Sequence, residues 1–68
     1  MEHTVVVTGG STGIGLEICR QFLAHDYTVV NLARRPAELQ DSKLHNFSID
    51  LSDRQAAIQL AGDIAARF

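Results

Sequence analysis

The sequence has little that could stabilise a small fold covalently. Its 68 residues include one cysteine, one proline and no tryptophan. A single cysteine cannot form an internal disulfide, and no cysteine–histidine spacing indicates a zinc site or any other metal site. Because a folded chain of this length buries only about 60% of its extended surface, we expect marginal stability for the chain alone.

Charge and hydropathy exclude several classes of protein. Six basic and eight acidic side chains leave a net charge of -2, so there is no electrostatic reason to expect nucleic acid or a membrane as a partner. With 46% hydrophobic and 21% charged residues, the composition is typical of a globular chain. The apolar run Val5–Val7 is too short for a signal peptide or a membrane span. We therefore expect a cytoplasmic protein.

Two hydrophobic periods alternate along the first half of the chain. The β-branched run Thr4–Thr8 predicts a strand buried on both faces, and Tyr27–Ala33 predicts a second buried strand. Between them, Gly13–His25 has apolar residues at helical spacing and is predicted to be a helix. The predicted buried stripe of this helix consists of Ile14, Ile18, Cys19, Phe22 and Leu23.

The second half of the chain continues the alternation. Pro36 suits the first turn of a short helix over Pro36–Gln40, and Leu44–Ile49 alternates like a strand. Ser52 and Gln55 have the spacing of a capping box at the start of a last helix, which runs to Phe68. The resulting β-α-β-α-β-α order predicts an α/β fold of the doubly wound, parallel type.

Three strands cannot complete such a sheet. Both edge strands would expose unpaired backbone groups, and the helices would lack part of the surface on which they pack. We therefore predict that residues 1–68 are the amino-terminal portion of a single larger domain, whose remainder is absent from this chain.

A glycine-rich segment, Thr8–Gly15, connects the first strand to the first helix. The free N–H groups at the start of a helix can bind an anionic diphosphate. Gly9 would permit the tight turn, Gly13 would let the backbone approach the phosphates, and Gly15 would let the helix pack closely on the strand. An ordinary glycine-rich turn is the alternative. The other predicted phosphate contacts are Ser11, Thr12 and Ile14.

The glycine spacing distinguishes between nucleotide-binding motifs. A P-loop would need lysine directly after Gly15, where the chain has leucine, and the common dinucleotide fingerprint has a shorter spacing. The pattern Thr8-Gly9-x-x-x-Gly13-Ile14-Gly15 resembles the cofactor signature of the classical short-chain dehydrogenase/reductase family. The resemblance covers all 68 residues and implies a Rossmann-type NAD(P)-binding domain. It also implies hydride transfer between NAD(P) and a carbonyl or alcohol substrate.

The end of the second strand indicates which cofactor is preferred. In dinucleotide-binding folds, an acidic residue about 20 positions after the glycines accepts from the ribose 2′-hydroxyl, whereas arginine there pairs with a 2′-phosphate. This chain has Arg34 and Arg35 at that place. The pair predicts NADP(H) as the preferred cofactor and NAD(H) as the second option. Thr12 departs from the pattern, because many NADP-preferring relatives carry a basic residue there. Two solvated surface arginines are the alternative.

Asp50 and Leu51 follow the third strand. They are similar to the family's Asp-Leu pair, which implies that Asp50 accepts from the adenine amino group. The alternative is that Asp50 caps the helix that follows, where negative charge is favourable.

The resemblance also shows which family residues are missing. Hydride transfer in the family uses a Tyr-x-x-x-Lys pair, a serine and an asparagine from later segments, and the only tyrosine here, Tyr27, is followed four positions on by Asn31. We therefore expect an NADP-dependent oxidoreductase segment without turnover of its own, whose intact parent forms homo-oligomers and acts on small molecules. The alternative is a non-catalytic dinucleotide-binding module, for redox sensing or interaction.

Overall fold

The strands form a parallel sheet, and the elements follow one another in the order β-α-β-β-α, so one helix of the predicted alternation is missing. The computed structural model describes residues 3–68. The sheet has the order β1-β2-β3, and both neighbouring pairs are parallel. This arrangement confirms the predicted α/β fold class. Its elements are β1 (Thr4–Thr8), α1 (Gly13–Ala24), β2 (Thr28–Ala33), β3 (Leu44–Ser48) and α2 (Arg54–Arg67).

The core lies between α1 and one face of β1 and β2. Val7, Cys19 and Val29 form its buried centre, and Phe22 and Leu23 pack against them. Burial raises the pKa of the Cys19 thiol, as expected for an inert apolar residue.

The predicted buried stripe of α1 was too wide. The side chain of Ile14 is 81% exposed and that of Ile18 is 40% exposed. At about 100° of rotation per residue, Ile14 lies about 140° and Ile18 about 100° around the helix from Cys19, so neither faces the sheet. The contact of α1 with the sheet is therefore centred on Cys19.

The prediction that both faces of the strand are buried is correct for β2 and wrong for β1. Val29 and Val30, which point to opposite faces of β2, are both fully buried. Val6 in β1 remains 49% exposed. The reason is topological: in the sheet formed by residues 3–68, β2 is the central strand, whereas β1 is an outer strand with β2 as its one neighbour.

The predicted helix over Pro36–Gln40 is absent, and these residues are irregular. The backbone of Ala37 is instead bonded to the side chain of Asn46 in β3. Its N–H donates to Asn46 Oδ1 at 2.9 Å, and its carbonyl accepts from Asn46 Nδ2 at 3.4 Å. A helix would use the Ala37 carbonyl to accept from the N–H four residues on, but here that carbonyl is bonded to Asn46, and Ala37 is buried.

The helix α2 begins one residue later than the capping box predicted. Asp53 is the N-cap, and its carboxylate accepts from the N–H of Ala56 at 3.1 Å. The predicted Ser52–Gln55 capping box is therefore wrong. Within residues 3–68, neither helix has the length and apolar character needed to cross a membrane.

Ring contacts near the end of α2 join it to β3. The guanidinium of Arg67 lies 5.6 Å from the ring centre of Phe47, and the rings of His45 and Phe68 are 4.9 Å apart. His45 and Phe47 alternate with Leu44, which packs against the core on the α1 side. The two helices therefore cover opposite faces of the sheet.

Candidate functional site

A cleft of about 540 Å³ lies at the carboxyl edge of the sheet. The loops that follow all three strands line it, because parallel strands end at the same edge. The lining includes seven of the ten predicted site residues: Gly9, Ser11, Thr12, Arg34, Arg35, Asp50 and Leu51. The other three, Gly13, Ile14 and Gly15, form the start of α1 directly after Thr12 and do not line the cleft.

The glycine-rich loop makes a tight turn that brings α1 close to the end of β1. Gly9 has a φ of 66°, which favours glycine and confirms the predicted turn. A Cβ added at Gly15 would overlap the carbonyl oxygen of Gly9. The predicted close packing of the helix on the strand is therefore confirmed.

The start of α1 presents backbone donors that the helix itself does not use. The first hydrogen bond that enters the helix runs from Leu16 N–H to the carbonyl of Thr12, at 3.3 Å. The N–H groups of Gly13, Ile14 and Gly15 precede it and have no acceptor inside the helix. The Thr12 side chain makes no cap hydrogen bond, and the first turn contains no acidic residue. This helix end can therefore bind an anion.

Two arginines stand at the mouth of the cleft, and they differ in their partners. The Arg34 guanidinium lies 3.4 Å from the Asp50 carboxylate, and these side chains are 77% and 50% exposed. Such an exposed ion pair contributes little to stability. Within residues 3–68, Arg35 forms no ion pair and no side-chain hydrogen bond. The cleft thus offers one paired and one unpaired guanidinium.

The Asp50 carboxylate is held by the residues that follow it. Its Oδ1 accepts from the backbone N–H of Ser52 at 3.0 Å and from the Ser52 hydroxyl at 2.7 Å. These hydrogen bonds, and then the charge of Arg34, lower the pKa of Asp50. Because Asp53 caps α2, the alternative reading of Asp50 as the helix cap is wrong.

A polar link formed by the buried side chain of Asn31 and by Asn46 was missed in the sequence. Asn31 in β2 accepts from the N–H of Gly10 at 2.8 Å and donates to Asn46 Oδ1 at 3.0 Å. The available signal was an asparagine inside the apolar run of β2, where a polar side chain needs partners. The partners themselves could not be read, because they lie 21 and 15 positions away.

The chain is similar to known proteins along nearly its whole length. The model of the family described as short chain dehydrogenase matches residues 3–68. A short chain dehydrogenase of Pseudocercospora fijiensis is 31% identical over 96% of this chain and 24% of its own length. A Haemophilus influenzae protein named "probable NADP-dependent dehydrogenase" is 36% identical over 81% of this chain and 24% of its own length.

Solved structures show the same fold. A short-chain dehydrogenase of Streptomyces avermitilis superposes with a TM-score of 0.87 at 30% identity, over 98% of this chain and 27% of its own. That of Leptospira borgpetersenii, which holds NAD+, gives a TM-score of 0.89 at 19% identity, over 98% of this chain and 27% of its own. This chain therefore spans about a quarter of the length of these relatives. It belongs to the short-chain dehydrogenase family.

Proposed function

We propose that this chain is the amino-terminal, NADP(H)-binding portion of a cytoplasmic, homo-oligomeric oxidoreductase. The bound cofactor would supply the hydride that is exchanged with a carbonyl or alcohol substrate. Family membership supports the oxidoreductase class. The cofactor preference, the substrate class and the assembly are inferences about the complete polypeptide.

The diphosphate would bind at the start of α1. The N–H groups of Gly13, Ile14 and Gly15 have no acceptor inside the helix, and the positive end of the helix dipole favours negative charge there. Ser11 and Thr12 line the cleft beside this helix end, and their hydroxyls would add donors. No positively charged side chain is needed for this part of the site.

The 2′-phosphate would bind between Arg34 and Arg35. The observation that carries the proposal is that one cleft combines these guanidiniums with the free helix end. The Asp50 carboxylate is bonded to Ser52 and paired with Arg34, so it is poorly placed to serve an unphosphorylated ribose. Asp50 and Leu51 would instead contact adenine. NAD(H) remains the second option.

The test compares the dissociation constants of NADPH and NADH by calorimetry on the complete polypeptide that carries this segment. Replacing both arginines, as Arg34→Ala with Arg35→Ala, should weaken NADPH binding by about a hundredfold or more, since the two charge-assisted hydrogen bonds lost contribute about 1.5–3 kcal/mol each. Binding of NADH should change by less than about twofold. Arg20→Ala, an exposed arginine on α1 outside the cleft, serves as the control. Equal losses for both cofactors would contradict the assignment.

Turnover separates the enzyme from the non-catalytic module of the same fold. The complete polypeptide should oxidise NADPH in the presence of carbonyl compounds, whereas the 68-residue chain alone should not. Tight NADPH binding by the complete polypeptide, without oxidation across a panel of aldehydes and ketones, would favour the sensing or interaction module.

A further inference from the structure

The side chain of Asn31 is the one buried polar side chain among residues 3–68, with 1% of its surface exposed. It stands in the central strand, opposite Val7 of β1 and Asn46 of β3. Its Oδ1 accepts from Gly10 N–H, and its Nδ2 donates to Asn46 Oδ1. Both ends of the amide are therefore satisfied by specific partners.

The hydrogen bonds continue from Asn46 to the segment that carries the arginines. Asn46 Oδ1 also accepts from Ala37 N–H at 2.9 Å, and Asn46 Nδ2 donates to the Ala37 carbonyl at 3.4 Å. One chain of hydrogen bonds thus runs from the glycine-rich loop, through β2 and β3, to a residue two positions after Arg35. We call this series, Gly10–Asn31–Asn46–Ala37, the asparagine link.

The asparagine link imposes its own requirement on the loop. A Cβ added at Gly10 would overlap the Asn31 amide and the Cys19 sulfur, so the loop can reach Asn31 only with glycine at this position. Gly10 falls at a variable position of the Thr8-Gly9-x-x-x-Gly13 pattern. Its N–H is also used inside the protein, so it cannot serve a phosphate.

Hydrogen bonds hold the backbone on both sides of Arg35, and we call these two points its anchors. The first is on the amino-terminal side, where the Ser48 hydroxyl donates to the Arg34 carbonyl at 3.1 Å. The second is Ala37, held by Asn46. Arg35 has no side-chain partner within residues 3–68, so its position depends on the backbone between these anchors.

We propose that Asn31 and Asn46 are positioning residues that hold the arginine segment in place relative to the glycine-rich loop. They thereby set the selectivity for NADPH over NADH, although neither lines the cleft. This inference rests on the proposed function. Its physical reason is that the 2′-phosphate requires the arginine segment, whereas the diphosphate, common to both cofactors, requires only the loop and the start of α1.

The test uses two substitutions at Asn46 in the complete polypeptide. Asn46→Ala removes the acceptor shared by Asn31 and Ala37, whereas Asn46→Asp keeps an oxygen for both donors. Asn46→Ala should weaken NADPH binding by about tenfold and NADH binding by less than about twofold, the change expected from loss of about one positioned, charge-assisted contact. It should also speed hydrogen exchange at the Ala37 amide. Asn46→Asp should keep the Ala37 amide protected and the selectivity within about threefold of wild type.

The proposal requires that two measurements change together in the wild type, Asn46→Ala and Asn46→Asp. These are the selectivity for NADPH over NADH and the protection of the Ala37 amide from hydrogen exchange. An unchanged NADPH-to-NADH ratio in a folded Asn46→Ala variant would overturn it, and so would a ratio that falls in Asn46→Asp while Ala37 stays protected. If the wild-type polypeptide itself shows no preference for NADPH, the proposed function fails and the inference fails with it. The wild-type measurement therefore separates the two failures.

Discussion

The two halves of the chain are organised by different interactions. In residues 4–33, α1 lies across β1 and β2, and the buried centre of the core belongs to this half. In residues 34–68, α2 has one buried residue, Ile64, and its ring contacts are with the outer strand β3. The comparison shows that a helix packed over two strands keeps the bounds that its apolar pattern predicts. Where burial is sparse, individual side-chain hydrogen bonds decide the local structure.

The differences in secondary structure and helix capping follow this division. In the first half, each observed element matches its predicted bounds to within one residue. In the second half, Pro36–Gln40 is irregular and the cap of α2 moves from Ser52 to Asp53. Both changes depend on side chains that bind backbone groups, Asn46 in one case and Asp53 in the other. Local helix signals did not predict which of the available polar groups would be used.

The largest expected effect contrasts a helical glycine from each half. Gly15→Ala in α1 should destabilise the fold by about 3 kcal/mol, because its Cβ would overlap the Gly9 backbone. Gly62→Ala in α2 meets no atom and should stabilise by about 0.5–1 kcal/mol, the difference in helix propensity. Urea unfolding of both variants measures the contrast. Changes of the same sign would show that the two halves pack alike.

A smaller effect locates the start of α2. Asp53→Ala should cost about 1 kcal/mol, since it leaves the Ala56 N–H without its acceptor. Ser52→Ala should cost less than about 0.5 kcal/mol, because its hydroxyl bonds an exposed carboxylate. The two unfolding free energies decide between the observed cap and the one predicted from sequence. A larger loss of stability for Ser52→Ala than for Asp53→Ala would instead support the capping box predicted from the sequence.

The smallest effect concerns the titration of Asp50. Its pKa in the folded chain is lowered, so its contribution to stability is present above about pH 4 and disappears as the pH falls through the lowered pKa. Ser52→Ala should raise the pKa of Asp50 more than Arg34→Ala does, because the Ser52 hydrogen bonds are the larger cause. An NMR titration of the Asp50 side chain measures both shifts. A larger rise of the Asp50 pKa in Arg34→Ala than in Ser52→Ala would show that the ion pair is the main cause of the lowered pKa.

The position of the candidate site was more predictable than its internal contacts. Glycine spacing located the loop, and the predicted parallel direction of the strands brought the residues after each strand to one edge, where the cleft lies. The sequence did not show that Arg34 pairs with Asp50, or that Asn31 and Asn46 lie behind the cleft. These contacts join residues 15 or 16 positions apart on different strands or loops, so no local pattern records them.

By itself, the sequence determined the order of the five elements that form, the turn at Gly9 and the free helix start beside it. These features depend on backbone freedom, periodic burial and hydrogen bonds between near neighbours. The tertiary structure alone decided that Ala37 bonds to Asn46 instead of a helical neighbour, and that Arg35 lies between two anchors. The physical reason is that backbone groups accept whichever partner folding brings within reach, and here β3 supplies it from nine positions away.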